Sequence, residues 1–127
     1  MEYLSEEWLA ELARVGRELP EVAGVDLVIQ HEVALEPKGK ARYFTVIANG
    51  QIVEVGDGKN ADAAVQVTVK QKEALRVLRG DLTPDVGFMQ GRLKVDGDYR
   101  LLLDTHRGYR ESEPYRAMWA HMAEVTD

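Results

Sequence analysis

The sequence contains no cysteine. A disulfide framework, a thiol nucleophile and a zinc site built on cysteine are therefore excluded. No apolar run approaches the roughly 18 residues of a transmembrane helix, and the first residues lack the basic and apolar regions of a signal peptide. These absences predict a cytoplasmic protein without stable membrane insertion.

An excess of positive charge is also missing. The chain has 16 lysines and arginines against 22 aspartates and glutamates, a net charge of −6. This acidic balance argues against a nucleic-acid partner. The hydrophobic content of 45% is ordinary for a globular protein, and 127 residues predict a single domain, residues 1–127.

Residues that commonly carry catalysis or metal binding are few. The three histidines, His31, His106 and His121, do not pair with one another at metal-ligand spacing. The only serines, Ser5 and Ser112, stand at predicted helix starts, which leaves no credible serine nucleophile. We therefore expect no catalytic residue, no metal and no cofactor.

Two features of the sequence allow a functional interpretation as well as a structural one. The segment from Gly56 to Ala61 fits the G-x-G-x-x-A pattern of dinucleotide sites, but a strand pattern follows it instead of the required helix, which favours a plain turn. His31 falls on the apolar face of its strand. It is either a histidine at the edge of the core, hydrogen-bonded to backbone, or a polar anchor inside a ligand cavity.

The hydrophobic periodicity alternates between strand and helix patterns. Period-two alternation predicts strands at 25–35, 42–48, 51–55, 63–69 and 92–95, with a type I′ turn at Asn49-Gly50. In the first strand it places Asp26, Gln30 and Glu32 on the polar face. Helical spacing predicts helices from Ser5 to Leu19, at 74–78, from Thr83 to Met89, after Asp98 and at about 113–125, with a linker from Thr105 to Glu111 before the last helix. This order predicts an α+β fold with helices covering one face of a mostly antiparallel sheet.

The predicted last helix carries four large side chains, and these fit packing on the domain, a lid over a cavity or a homodimer contact: Tyr115, Met118, Trp119 and Met122. Four basic residues surround the helix at 74–78. They fit a solvated face or, less simply, a membrane-docking or CoA-phosphate patch: Lys70, Lys72, Arg76 and Arg79.

The segment Leu82–Asp98, LTPDVGFMQGRLKVDGD, joins a helix pattern, a strand pattern and a second helix pattern around apolar side chains. With the preceding VQVTVK and EALRVLRGDL and the following LLL, it resembles the sterol carrier protein 2 family. The family segment reads P-x-x-A-F-M-x-G-K-L-K-x-x-G-D. Pro84, Phe88, Met89, Gly91, Leu93, Lys94, Gly97 and Asp98 match it.

The resemblance implies a five-stranded sheet with helices on one face, enclosing an apolar tunnel for sterols, fatty acids or acyl-CoA. It places Phe88, Met89 and Gln90 on the tunnel wall, with Gln90 as the polar group that orients the ligand. It also assigns one helix to closing the tunnel, through Leu101, Leu102 and Leu103. Ile29 and His31, on the apolar face of the first strand, complete the expected lipid site.

The sequence thus predicts a non-enzymatic carrier of an apolar small molecule. The alternative is an accessory enzyme or enzyme subunit in lipid or polyketide-like metabolism, with His31 as an acid–base group in the same cavity. A module that binds a partner through the last helix is a third interpretation.

Overall fold

The computed structural model describes residues 1–102 and 107–127. Five helices and five strands are present in this part of the chain: α1 (Glu6–Gly16), β1 (Leu27–Ala34), β2 (Lys40–Ala48), β3 (Gln51–Asp57), β4 (Val65–Lys70), α2 (Gln71–Leu78), α3 (Pro84–Met89), β5 (Leu93–Gly97), α4 (Arg107–Arg110) and α5 (Glu113–Val125). Residues 99–102 form a further helical turn. Leu103 and His106, singled out from the sequence, lie outside the described residues.

The strands form one sheet in the order β3-β2-β1-β4-β5. β1 runs parallel to β4, and the other three neighbouring pairs are antiparallel. The predicted α+β fold with a five-stranded, mostly antiparallel sheet is confirmed. The parallel pair places β1 at the centre, where its backbone is bonded on both sides.

The sheet has one apolar face, which follows from the alternation of side chains along each strand. On β1 the odd-numbered residues Leu27, Ile29 and Val33 are buried. Their pairing partners on β2 and β4 continue the same face, as with Ile47 opposite Leu27 and Val65 opposite Ile29. The helices cover this face, which is therefore where a ligand seam can form.

Local signals in the sequence fix several element ends. The Ser5 hydroxyl accepts a hydrogen bond from the Trp8 amide at 3.2 Å and caps α1. Thr83 caps α3 in the same way, with Pro84 in the first turn. Asn49 and Gly50 both have positive φ, 48° and 77°, which confirms the predicted type I′ turn.

Three details differ from the sequence prediction. α1 ends at Gly16, and the chain continues to Leu19 through i→i+3 bonds, although Leu19 is still buried as its spacing indicated. Gln30, expected on the polar face, is 5% exposed because it bonds the backbone of the β3–β4 loop. The expected linker before α5 contains α4.

Candidate functional site

A small void lies between the apolar sheet face and the C-terminal helices. We call it the inner void. Its volume is about 10 Å³, and its lining is apolar except for one guanidinium and two phenol groups: Leu27, Ile29, Ile47, Leu102, Tyr109, Arg110 and Tyr115. That volume has room for roughly one water molecule, whereas pockets for small molecules measure about 300–1,000 Å³. The space between the apolar sheet face and the C-terminal helices, which we call the seam, is thus closed in this structure.

The residues that line the inner void come from distant parts of the sequence, and local structure orients each of them. Alternation along β1 and β2 turns Ile29 and Ile47 towards the helices. Leu102 follows the turn that Asp98 caps, since the Asp98 carboxylate accepts a hydrogen bond from the Leu101 amide at 3.3 Å. Of the sequence-predicted lipid-binding residues, Ile29 and Leu102 line the inner void.

Tyr109 attaches α4 to the sheet. Its hydroxyl donates a hydrogen bond to the Gly50 carbonyl at 2.8 Å, in the β2–β3 turn. Its ring lies against that of Tyr115, with centroids 5.0 Å apart. Burial raises the pKa of both phenols, so they stay neutral at physiological pH. The two rings therefore cover the inner void with apolar carbon atoms and two uncharged hydroxyl groups.

Among the described residues, Arg110 is the one charged residue that lines the inner void. Its side chain is only 15% exposed. Its Nη1 atom lies 3.6 Å from Oδ1 of Asp85, which is beyond hydrogen-bond distance, and Arg107 approaches the other oxygen of Asp85 at 4.0 Å. The Nε and Nη2 atoms of Arg110 are buried and have no hydrogen-bond partner within residues 1–102 and 107–127.

The sequence did not predict a role for Arg110. It stands in a stretch that was expected to be a linker, and a four-residue helix leaves almost no periodic signal. Its position depends on contacts of α4 with the β2–β3 turn and with α3, which are distant in sequence. The one compositional hint is that Arg110 stands between Tyr109 and Tyr115 in the sequence.

His31 shares the helix-facing side of the sheet but does not line the inner void. Its ring stacks on that of Tyr43, and its Nε2 lies 3.2 Å from the Thr45 hydroxyl oxygen. Burial lowers the pKa of His31 to about 4. The imidazole is therefore neutral at pH 7. Among the described residues its hydrogen-bond partner is a side chain, so the expected bond to backbone is not present there.

The expected tunnel-wall residues occupy different environments. Phe88 is half-buried, whereas Met89 is 83% exposed. Gln90 is exposed at the end of α3, where its Oε1 accepts a hydrogen bond from Arg92 Nε at 2.8 Å. The structure places Met89 and Gln90 outside the inner void, so their contact with a ligand stays a prediction. Asp85, in the same segment, approaches Arg110 of the inner void at 3.6 Å but does not itself line the void.

The large side chains of α5 serve the core as well as the seam. Met118 and Met122 are buried within the chain, at 5% and 0% exposure. Trp119 is half-buried, with its ring centroid 6.5 Å from that of Trp8. Tyr115, at the start of α5, lines the inner void.

The far end of α5 is held to α1 by polar contacts. Trp8 Nε1 donates a hydrogen bond to the Thr126 hydroxyl at 2.9 Å, and His121 Nε2 lies 2.6 Å from the Glu11 carboxylate. Hydrogen bonds from Arg14 and His121 lower the pKa of Glu11 to about 2. We call these two contacts the α1–α5 tether. α5 is thus fixed at one end and covers the inner void with the other.

An open groove lies on the opposite face of the sheet, with a volume of about 460 Å³. Its lining is polar and alanine-rich, and Gln30 already uses its amide to bond Gly58, Tyr43 and Asn60. The segment Gly56–Ala61 ends β3 and turns towards β4, so no helix follows that could hold a pyrophosphate. This groove lacks the enclosed apolar walls of a lipid site.

Within residues 1–102 and 107–127, no three histidine or carboxylate side chains are grouped as metal ligands would be. Among the helices described, none combines the length and apolar character needed to cross a bilayer. The basic residue Arg76 pairs with Glu73, which Arg92 also contacts.

The sequence and the fold were compared with known proteins. The sequence model of the SCP-2 sterol transfer family matches residues 10–107. A curated relative from Caenorhabditis elegans, non-specific lipid-transfer protein-like 1, is 28% identical over 60 residues. That match covers 47% of this chain and 51% of the relative, so the chain spans about half the length of the curated relative it matches.

Solved structures share the fold. A conserved hypothetical protein of Thermus thermophilus, whose description suggests a sterol carrier protein, superposes with a TM-score of 0.77 at 17% identity, covering 100% of this chain and 92% of that one. The palmitated sterol carrier protein 2-like 2 of Aedes aegypti gives 0.62 at 24% identity, covering 85% and 96%.

Proposed function

Because the chain belongs to the SCP-2 sterol transfer family, we propose that it binds and carries an apolar small molecule without transforming it. The ligand class is a fatty acid, an acyl-CoA or a sterol-like lipid. The binding place is the seam between the apolar sheet face and the helices α4 and α5. Palmitate bound to the Aedes aegypti relative supports a long acyl chain as the first ligand to test.

The observation that carries the proposal is the inner void. It lies where the sheet and the C-terminal helices meet, and Leu27, Ile29 and Leu102 give it apolar walls. Burying an acyl chain there contributes about 0.8 kcal/mol per CH₂ group. A long chain can thus bind through its length alone, and binding would be broad in specificity.

Binding requires the seam to open, because a void of about 10 Å³ cannot hold an acyl chain. The α1–α5 tether holds the far end of α5, so opening would move α4 and the near end of α5. In this proposal Tyr115 is the lid residue at the moving end, and Met118, Trp119 and Met122 form the part of the lid nearer to the tether.

The remaining sequence expectations belong to the same proposal. Once the seam is open, Phe88, Met89 and Gln90 would extend its wall, with Leu101 at the closing helix. A cytoplasmic location and the absence of a nucleic-acid partner remain expectations from composition. A homodimer through α5 also remains a prediction, and it would use the exposed side chains of α5, since Met118 and Met122 are buried.

Native mass spectrometry of the purified chain tests the proposal directly. The protein is incubated with palmitate, palmitoyl-CoA and cholesterol, and with glucose as a polar control. We expect one bound apolar ligand per chain and no glucose adduct. A chain that stays ligand-free and also fails to take up a fluorescent fatty acid would contradict the proposal.

The alternative function, that of an accessory enzyme, requires a catalytic contact that carriage does not. It requires His31 to contact the bound molecule as an acid–base group, although His31 lies outside the closed inner void. Turnover of a bound acyl thioester that is lost in His31→Ala would support it. Release of every ligand chemically unchanged supports carriage alone.

A further inference from the structure

The inner void holds one buried cation whose hydrogen-bonding capacity is not used. A buried N–H group without a partner costs roughly 1–3 kcal/mol, so such groups are rare and call for an explanation. Arg110 presents two of them, Nε and Nη2, within residues 1–102 and 107–127. The void beside them is otherwise apolar.

The geometry of the guanidinium shows which edge is available. Nη1 faces Oδ1 of Asp85, 3.6 Å away, so this carboxylate partly balances the charge from one side. That oxygen is also buried without a hydrogen-bond partner among the described residues. Nε and Nη2 form the opposite, two-donor edge, whose parallel N–H bonds match the two oxygens of a carboxylate. Asp85 itself is too far away to fill that edge.

We propose that Arg110 anchors the carboxylate of a free long-chain fatty acid through its Nε and Nη2 edge, with the acyl chain between Ile29 and Leu102 in the opened seam. This inference rests on the proposed carrier function and names its ligand. Tyr115, neutral at physiological pH, lies beside the anchor and gives the first methylene groups an apolar contact. An ester, an alcohol or a sterol has no carboxylate group to accept hydrogen bonds from this edge.

Arg107 provides a matched control. It approaches the same carboxylate of Asp85, but its side chain is 56% exposed, and it does not line the inner void. Arg107→Gln and Arg110→Gln therefore remove the same charge from the same short helix. Only the second removes the buried donors.

The experiment measures the dissociation constants of palmitate, methyl palmitate and palmitoyl-CoA for the full chain and both variants by equilibrium partition of labelled ligand. We expect Arg110→Gln to weaken palmitate binding about tenfold to a hundredfold, the worth of a charge-assisted pair. Methyl palmitate and palmitoyl-CoA should bind equally well to all three proteins. Arg110→Lys should recover part of the palmitate affinity, since a lysine keeps the charge but not the fork.

Two results would overturn the anchor. One is unchanged palmitate binding in Arg110→Gln, and the other is an equal loss for all three ligands, which would make Arg110 a structural residue. If Arg110→Gln fails to fold, the preference of the unmodified chain for palmitate over methyl palmitate decides, and equal affinities reject the anchor. If the carrier function itself fails, no apolar ligand binds to the unmodified chain. Binding of methyl palmitate to that chain therefore distinguishes failure of the anchor from failure of the carrier function.

Discussion

The imidazole ring of His31 lies parallel to the phenol ring of Tyr43, with centroids 4.3 Å apart and the two planes 6° apart. The same imidazole contacts the Thr45 hydroxyl at 3.2 Å. This pair inserts a titratable group into the apolar, helix-facing side of the sheet. Burial there lowers the pKa of His31 from 6.5 to about 4.

Stability should therefore fall when the pH is lowered from 6.5 towards 4. In that window the unfolded chain binds a proton at His31 and the folded chain does not, so the free energy of unfolding decreases, by on the order of 3 kcal/mol at most. Urea unfolding at pH 7.5 and pH 5 measures the change. His31→Phe keeps an aromatic ring against Tyr43 and should flatten this dependence. Equal slopes for the two proteins would refute the assignment.

The α1–α5 tether makes a second prediction. Thr126→Val deprives Trp8 Nε1 of its acceptor and should lower the free energy of unfolding by about 1–3 kcal/mol, because the indole N–H is left unpaired near the core. Thr126→Ser keeps the hydroxyl and should stay close to the original stability. Thermal unfolding followed by circular dichroism compares the variants. A similar loss in Thr126→Ser, which keeps the hydroxyl, would show that the effect does not come from the hydrogen bond to Trp8.

Alanine variants at Gly97 and Gly58 distinguish the energetic cost of a left-handed backbone conformation from the cost of steric crowding. Both have positive φ, 86° and 91°, but a Cβ on Gly97 would lie 2.4 Å from the carbonyl oxygen of Ala64, whereas one on Gly58 meets open space. Gly58→Ala should cost about 1–2 kcal/mol for the left-handed conformation alone. Gly97→Ala should cost distinctly more, since backbone must move. Equal losses in urea unfolding would show that the Ala64 contact relaxes freely.

Enlarging the inner void tests the link between cavity and ligand. Leu102→Ala should destabilise the free chain by about 2–5 kcal/mol, as should Leu78→Ala, because both side chains are buried. Only Leu102 lines the inner void. Palmitate should therefore raise the melting temperature of Leu102→Ala more than that of Leu78→Ala. The same increase in both variants would place the acyl chain elsewhere.

The sheet and most helices could be predicted from sequence because each rests on a short-range signal. Alternation on β1, the Asn49-Gly50 turn and the Thr83-Pro84 helix start depend only on neighbouring residues. The bounds of α5, expected at about 113–125, match the structure because its apolar side chains repeat at helical spacing.

The candidate site was harder to predict because it depends on contacts between distant segments. No periodicity shows that Arg110 lies beside Ile29, or that Asp85 faces α4. Gln30 looked like a surface residue because its burial comes from the β3–β4 loop, which no pattern within β1 reveals. The family resemblance predicts Met89 and Gln90 on a tunnel wall, but the structure places both at the surface.

The parallel pairing of β1 with β4 has a consequence for the order of folding. The β1–β2–β3 meander needs only local contacts, whereas Ile29 meets Val65 only after the whole meander has been traversed. Contacts of long sequence separation form slowly because chain entropy is lost before they are made. We expect the floor of the seam to be completed late, after the meander. A nascent chain would then gain its capacity for lipid only when its last strands have joined.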